Sequence, residues 1–117
     1  MTVTVAGVSA SIPVFDGANI WVPSQASNSV AVVRASNGAI IQTLTGNGLS
    51  TPRAAAFDGE RILVTNVGND SVSLWKGADL TPLGSFPTGS GTGPVGACSD
   101  GVNFWVGLNT SSQLARF

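Results

Sequence analysis

The amino-acid sequence predicts an all-β protein made of three similar four-stranded units, and three observations predict it. A sequence pattern recurs with a period of 42 residues along the 117-residue chain. Turn residues divide each copy into short segments that are rich in apolar and β-branched residues. One segment in each copy is apolar at consecutive positions, so we expect both of its faces to be buried.

The repeat is clearest at a tight turn and at the strand that follows it. The turn motif occurs three times, as Phe15-Asp16-Gly17, Phe57-Asp58-Gly59 and Ser99-Asp100-Gly101. The apolar strand after it also occurs three times, as Ile20-Trp21-Val22, Ile62-Leu63-Val64 and Phe104-Trp105-Val106. Gly48-Leu49-Ser50 is echoed by Gly7-Val8-Ser9, which predicts a deletion of one residue before Phe15.

The middle copy shows the predicted elements in their order along the chain. The expected strands cover residues 54–57, 61–65, 71–75 and 82–86, and the segments between them are the Asp58-Gly59 turn, a polar loop at 66–70 and a turn at 76–79. None of these segments has the 3.6-residue apolar period of a helix.

Sheets stacked around an axis explain a strand that is buried on both faces, and a period near 42 is typical of the four-stranded blades of a β-propeller. Labelling the strands A to D outward from the axis, we expect the single domain 1–117 to contain blades at roughly 10–51, 52–93 and 94–117. The third blade then lacks its D strand. Residues 1–6 are predicted to be a displaced D strand that completes the third blade of a neighbouring chain.

Three blades are too few for a closed propeller, which typically has four to eight. The unpaired edges at 1–5 and 113–117 favour association with another strand. A head-to-tail homodimer would have six blades and is the preferred prediction. There are two alternatives: a homotrimer with nine blades, and a chain that is a fragment of a longer protein.

The segment from Ile62 to Leu74, ILVTNVGNDSVSL, resembles the YVTN β-propeller repeat of bacterial proteins. The Asp16-to-Val22 and Asp100-to-Val106 segments resemble the DG-x-N-x-WV form of that repeat. The chain departs from it at Pro23-Ser24 and Gly107-Leu108, where the family has Thr-Asn. The resemblance implies a propeller fold. It implies little about function, because related propellers include binding scaffolds, surface proteins and enzymes.

Composition argues against several functions. Charged residues are only 9% of the chain, the net charge is −1 and the five basic residues are scattered, so we expect no nucleic-acid partner. No apolar run is long enough to span a membrane. The N-terminus lacks the basic start of a signal peptide, so we expect a protein that stays in the cell or one whose export signal was removed.

The absence of histidine argues against a Cys-His nucleophile and His-based zinc sites, and we expect neither a metal nor another cofactor. Cys98, the only cysteine, is expected to be a buried apolar residue. Trp21, Trp105 and Trp75 are expected to pack between blades. The repeated Asp16, Asp58 and Asp100 are expected to stabilise turns and not to carry chemistry.

Arg53 is the best single candidate for binding a ligand. It precedes the innermost strand of the second blade, and its counterparts are Val95 and, near the expected deletion, Ile12 or Pro13. Polar residues of the B–C loops are the other candidates for a binding rim around the channel: Gln25, Asn28, Asn66, Asn69, Asp70 and Asn109.

These observations favour a non-catalytic binding or scaffold propeller that assembles with itself. Its surface suits a neutral glycan, a peptide or a small anion, bound mainly by hydrogen bonds. An enzyme of the propeller lyase or lactonase type is one alternative. A structural oligomer with no small ligand is another.

Overall fold

The computed structural model describes residues 1–5 and 9–117, and these form three antiparallel sheets that are the blades of a propeller. The first two sheets have four strands in sequence order, and the third has three. In chain order the strands are β1 Val14–Phe15, β2 Asn19–Ser24, β3 Ser29–Arg34, β4 Ile40–Leu44, β5 Pro52–Phe57, β6 Arg61–Asn66, β7 Ser71–Lys76, β8 Pro82–Pro87, β9 Pro94–Ser99, β10 Phe104–Leu108 and β11 Gln113–Arg116. The predicted all-β blade architecture is confirmed.

The strand pairing repeats with the period seen in the sequence. Trp21 pairs with Val14, and Leu63 pairs with Ala56 at the corresponding place in the second blade. The bridge between Ala10 and Ser24 corresponds in the same way to the pair of Pro52 with Asn66.

The 42-residue register therefore extends back through Ser9, and the predicted deletion before Phe15 is wrong. Ser9 accepts the Gln25 N–H, as Thr51 accepts the Val67 N–H. Ser9 is thus the counterpart of Thr51, and the counterpart of Arg53 is Ser11. The match of Gly7-Val8-Ser9 to Gly48-Leu49-Ser50 in the sequence is one residue out of register with the strand pairing.

The A–B turns owe their shape to aspartate and glycine, as predicted. Oδ1 of Asp16 accepts the backbone N–H groups of Ala18 and Asn19 at 2.9 and 2.6 Å. Gly17 in the middle of the turn has φ +97°, a conformation that glycine adopts without strain. The same pair of bonds recurs at Asp58 and Asp100, so this turn is a repeated structural device.

The core lies between the blades and not within them. Ile62, Leu63 and Val64 of β6 are each fully buried, because the first blade covers one face of the sheet and the third blade covers the other. Trp21 of the first blade lies 6.2 Å from Trp75 of the second, measured between ring centroids. The predicted packing of these two tryptophans between blades is confirmed.

Residues 1–5, which belong to the predicted displaced strand, form no strand in the single chain, and residue 6 lies outside the described residues. A Cβ atom on Gly38, in the C–D turn of the first blade, would lie 2.5 Å from Met1 Cε and 2.8 Å from Val3 Cγ2. The N-terminal segment thus rests against its own first blade. Among residues 1–5 and 9–117, no helix has the length and apolarity needed to cross a membrane.

Candidate binding rim and open blade face

The loops at one end of the blades form a continuous edge, which we call the loop rim. It consists of the D–A loops at 45–51 and 88–93 and the B–C loops at 25–28, 67–70 and 109–112. The B–C loops of the second and third blades are each held to a D–A loop by main-chain bonds, such as Asn109 N–H to Gly93 O at 2.9 Å. These hydrogen bonds fix the loops relative to one another, so the side chains of the rim have defined positions.

Asn66, predicted to lie in a polar loop, is instead the last residue of β6 and is fully buried. Its Nδ2 donates to Ser71 Oγ at 3.0 Å and to Ser73 Oγ at 2.9 Å, while its Oδ1 accepts the Ser50 N–H at 3.3 Å. These bonds satisfy the amide, which lets the strand continue one residue further than the apolar pattern indicates. Asn66 is a structural residue in this chain.

Asn69 and Asp70 lie in the loop rim, and their polar atoms are engaged in holding loops together. Asn69 donates from Nδ2 to Gly48 O at 3.1 Å and accepts from the Ser71 hydroxyl at 2.6 Å. Asp70 accepts the N–H of Gly91 at one carboxylate oxygen, at 2.7 Å, and the N–H of Gly93 at the other, at 2.9 Å. Both side chains therefore shape the rim, and a ligand would have to share their bonding atoms.

Asn28 does the same at the preceding seam, where its Oδ1 accepts the Thr51 N–H at 2.7 Å. Gln25 makes a long bond of 3.4 Å to Ser11 Oγ. The side chain of Asn109 is exposed and forms no hydrogen bond with any other described residue. Of the polar rim residues predicted from the sequence, Asn109 is thus the one whose side chain makes no hydrogen bond to any other described residue, and Gln25 makes only the long bond to Ser11.

Arg53 is exposed on β5, the innermost strand of the second blade. Its carbonyl accepts the N–H of Ile12 from the first blade at 3.0 Å, so its main chain is fixed next to the axis. Its guanidinium forms no ion pair with any described residue. The ion pair found among these residues joins Arg61 to Asp58. Arg53 therefore presents an exposed positive charge on the innermost strand of its blade, and Ser11 and Val95 lie at the matching places of the other blades.

The opposite end of the blades carries the three turn carboxylates, and their second oxygens are also engaged. Oδ2 of Asp16 accepts the indole N–H of Trp21 at 2.8 Å, and Oδ2 of Asp100 accepts that of Trp105 at 2.9 Å. Hydrogen bonds from the Asn103 amide, the Trp105 indole and the Val102 amide lower the pKa of Asp100 to about 2. The hydrogen bonds that the Asp100 carboxylate accepts thus favour its ionised form.

The second blade has no tryptophan at this place, and Arg61 takes over the role of the indole. Its Nε donates to Asp58 Oδ2 at 2.8 Å. Burial is the largest influence on the pKa of Asp58 and raises it, but the amide bonds from Arg61 and Glu60 and the Arg61 guanidinium together bring the pKa below its usual value. Arg61 was not among the residues predicted from the sequence, although the lack of an N–H donor on Leu63 indicates that the turn needs another donor.

The outer face of the third blade, which we call the open face, has no blade against it in the single chain. A depression of about 290 Å³ lies on it, lined by Gly96, Ala97, Cys98, Trp105, Gly107 and Leu114. Cys98 is exposed here, so the prediction that it is buried is wrong for the single chain. No further blade lies beside the third blade in the single chain, whereas the third blade covers Ala56, which has the same place in the second blade and is only 3% exposed.

Solved structures resemble this fold over nearly its whole length. Hydrazine synthase of Kuenenia stuttgartiensis matches with 22% identity and a TM-score of 0.71, over 91% of this chain and 30% of that one. A catalytically inactive virginiamycin B lyase of Staphylococcus aureus, solved with quinupristin, matches with 17% identity and a TM-score of 0.73, over 93% and 36%. The Cps50 (Swd1) β-propeller domain of Myceliophteria thermophila matches with 14% identity and a TM-score of 0.71, over 99% and 40%.

These likenesses show the β-propeller fold and nothing about activity. The chain spans between 30% and 40% of the length of these three structures. No protein-family model matches the sequence, so the resemblance to the YVTN repeat stays a prediction. No curated protein matches it either.

Proposed function

We propose that this chain is a non-catalytic binding or scaffold unit, and that a second copy completes its propeller to six blades. The observation that carries the proposal is the open face of the third blade. It exposes apolar residues at the repeat positions where the first two blades bury theirs. Repetition of one seam between unlike faces closes into a ring when the rotation permits.

The correspondence holds at several positions of the open face. Leu114 is 70% exposed, whereas Val30 and Val72 at the same place in the other blades are fully buried. Trp105 is half-buried, whereas Trp21 is fully buried against the next blade. Arg116 stands where the second blade has Leu74, so the open face carries one charge in addition to its apolar residues.

The first blade provides the matching surface at the other end of the repeat. Phe57 of the second blade packs against the cluster that contains Trp21 and Val30 of the first. Its counterpart Phe15 has no preceding blade to pack against and is 54% exposed. A second copy would place Phe15 against the open face and would repeat the contact that Phe57 already makes.

Binding, in this proposal, takes place at the loop rim beside the channel. A six-bladed ring of two copies would hold two Arg53 side chains at opposite sides of the axis. Two planar guanidinium groups suit a carboxylate or sulfate group of a small molecule, a peptide or an acidic glycan.

A binding role is supported over a catalytic one by the state of the repeated carboxylates. Asp16, Asp58 and Asp100 each accept three hydrogen bonds from their own turn and the strand that follows it, and these bonds keep them in place as turn residues. A general acid needs a raised pKa, whereas the pKa of Asp58 and that of Asp100 are both lowered.

The reactivity of the Cys98 thiol tests the assembly. In the proposed ring the partner's first blade covers this thiol, so its reaction with a thiol reagent should be slow in concentrated protein. Dilution below the dissociation constant should make the reaction fast. A thiol that reacts at one rate at every protein concentration would contradict the proposed ring.

A further inference from the structure

One position at the end of each B–C loop has a left-handed backbone although it is never glycine. Asn28 has φ 47°, Asp70 has φ 53° and Ser112 has φ 55°. Residues other than glycine rarely adopt this conformation, and asparagine and aspartate tolerate it best. The recurrence in all three blades indicates that this conformation places the side chain for a specific contact.

The first two blades show which contact the side chain makes. The side chain accepts a main-chain N–H from the D–A loop that leads into the next blade. Asn28 Oδ1 accepts the Thr51 N–H at 2.7 Å, and Asp70 Oδ1 accepts the Gly93 N–H at 2.9 Å. The donor residue is itself left-handed, with φ 47° at Thr51 and φ 62° at Gly93. One such bond thus closes each seam between consecutive blades at the loop rim.

The remaining acceptor position, Ser112, and the remaining donor position, Ser9, lie near opposite ends of the chain. Ser112 is exposed and has no next blade to bond to. Ser9, the counterpart of Thr51 and Gly93, is left-handed with φ 64°, is exposed, and has no preceding blade. The N–H of Ser9 makes no bond to any other residue that the structure describes.

We propose that the Ser112 hydroxyl of one copy accepts the main-chain N–H of Ser9 in a second copy, and that this bond fixes the register of the ring. The inference rests on the proposed six-bladed assembly and specifies its seam. It makes the contact head-to-tail, from the third blade of one chain to the first blade of the other. A two-copy ring then contains two identical bonds of this kind.

The surface next to Ser112 leaves room for such a contact. A depression of about 420 Å³ lies there, with Ser112 and Asn109 at its rim and Val95, Gly96 and Gly107 among its lining residues. At the corresponding place in the second blade, the loop residues Gly91 and Gly93 dock against Asp70. Ser9 of the second copy would occupy the place at the seam between copies that Gly93 occupies within the chain.

The test compares Ser112→Asn with Ser112→Gly. Both replacements are compatible with the left-handed backbone, but only asparagine can accept the bond, as Asn28 does. We expect the dissociation constant of the dimer, measured by analytical ultracentrifugation, to be roughly tenfold or more lower for the wild-type protein and for Ser112→Asn than for Ser112→Gly, because each ring has two seams. The amide of Ser9 should exchange its hydrogen slowly in the Ser112→Asn dimer and fast in the Ser112→Gly protein.

Asn28→Gly is the matched control, since it removes the same bond within one chain. It should lower the free energy of unfolding and leave the exchange of the Ser9 amide unchanged. Equal dissociation constants for the two Ser112 variants, in a protein that still dimerises, would overturn the proposed bond and leave the ring intact. A chain that is monomeric in every variant would overturn both proposals.

Discussion

Asp58 accepts a hydrogen bond from Nε of Arg61 at 2.8 Å, at the same carboxylate oxygen that accepts a tryptophan indole N–H in the other two blades. The second blade has Leu63 where the others have tryptophan, so the donor comes from a residue two positions earlier in the strand. The turn thus keeps its full set of bonds although the packing residue has changed. Arg61 also extends over the Phe104 ring of the third blade, with 5.2 Å from Cζ to the ring centroid.

Arg61→Ala should therefore lower the free energy of unfolding by about 1–2 kcal/mol, as the sum of a partly exposed ion pair and a cation–π contact. Urea unfolding followed by tryptophan fluorescence measures this difference. Arg34→Ala is the control, because Arg34 is exposed and forms no ion pair within the described residues. An equal loss of unfolding free energy in both variants would show that the Asp58–Arg61 contact does not stabilise the fold.

Trp21 and Trp105 occupy the same repeat position but differ in burial, which allows a paired prediction. Trp21→Ala should cost about 3–5 kcal/mol of folding free energy, because it empties a fully buried site next to Trp75. Trp105→Ala should cost the single chain much less and should instead weaken the dimer. Thermal unfolding and ultracentrifugation of the two variants distinguish these effects. Equal stability losses with no change in dimerisation would argue against an interface at Trp105.

The low pKa of Asp100 predicts how stability depends on pH. Its folded-state pKa is about 2, below the ordinary value of 3.8, so the unfolded chain takes up the proton first as the pH falls. The contribution of this group is present above pH 3.8 and is lost between pH 3.8 and about 2. Urea unfolding at pH 5, 3.5 and 2.5 should show this decline. Asp100→Asn should make it shallower, and an unchanged slope would contradict the assignment.

Arg53→Ala tests the proposed binding rim. An anionic ligand found by thermal-shift screening of carboxylated and sulfated sugars should lose its binding in this variant, while the melting temperature without ligand stays within a few degrees. Calorimetric titration measures the binding. Arg34→Ala is the matched control, since it removes a charge that is not beside the channel. A ligand that binds Arg53→Ala with unchanged affinity would contradict the rim assignment.

The sequence predicted the blades and the tight turns well, because both depend on local patterns. Asp16 and Gly17 specify their turn within a few residues, and the apolar run at 62–64 reports burial on both faces. The site was harder to predict, because burial of a polar residue depends on distant partners. Asn66 has the composition of a loop residue, yet Ser71 and Ser73 of the next strand and the Ser50 amide satisfy its amide group. Cys98 was placed wrongly because no further blade covers the outer face of the third blade in the single chain.

Leu114→Asp addresses the seam between copies directly. A carboxylate on the open face would have to lose its water against apolar residues of the partner, so we expect the variant to be a folded monomer. Val102→Glu is the control, because Val102 is 75% exposed and the second blade already has Glu60 at this place. The control should keep the mass of the wild-type assembly. A dimeric Leu114→Asp protein would place the interface elsewhere.

The mass of the wild-type protein in solution tests the central claim most directly. Light scattering on a sizing column, over a series of loading concentrations, should give twice the chain mass of 11.8 kDa at the upper end of the series. That mass corresponds to two copies and six blades. A mass of one chain at every concentration would contradict the ring, and a mass of three chains would contradict its six-bladed form.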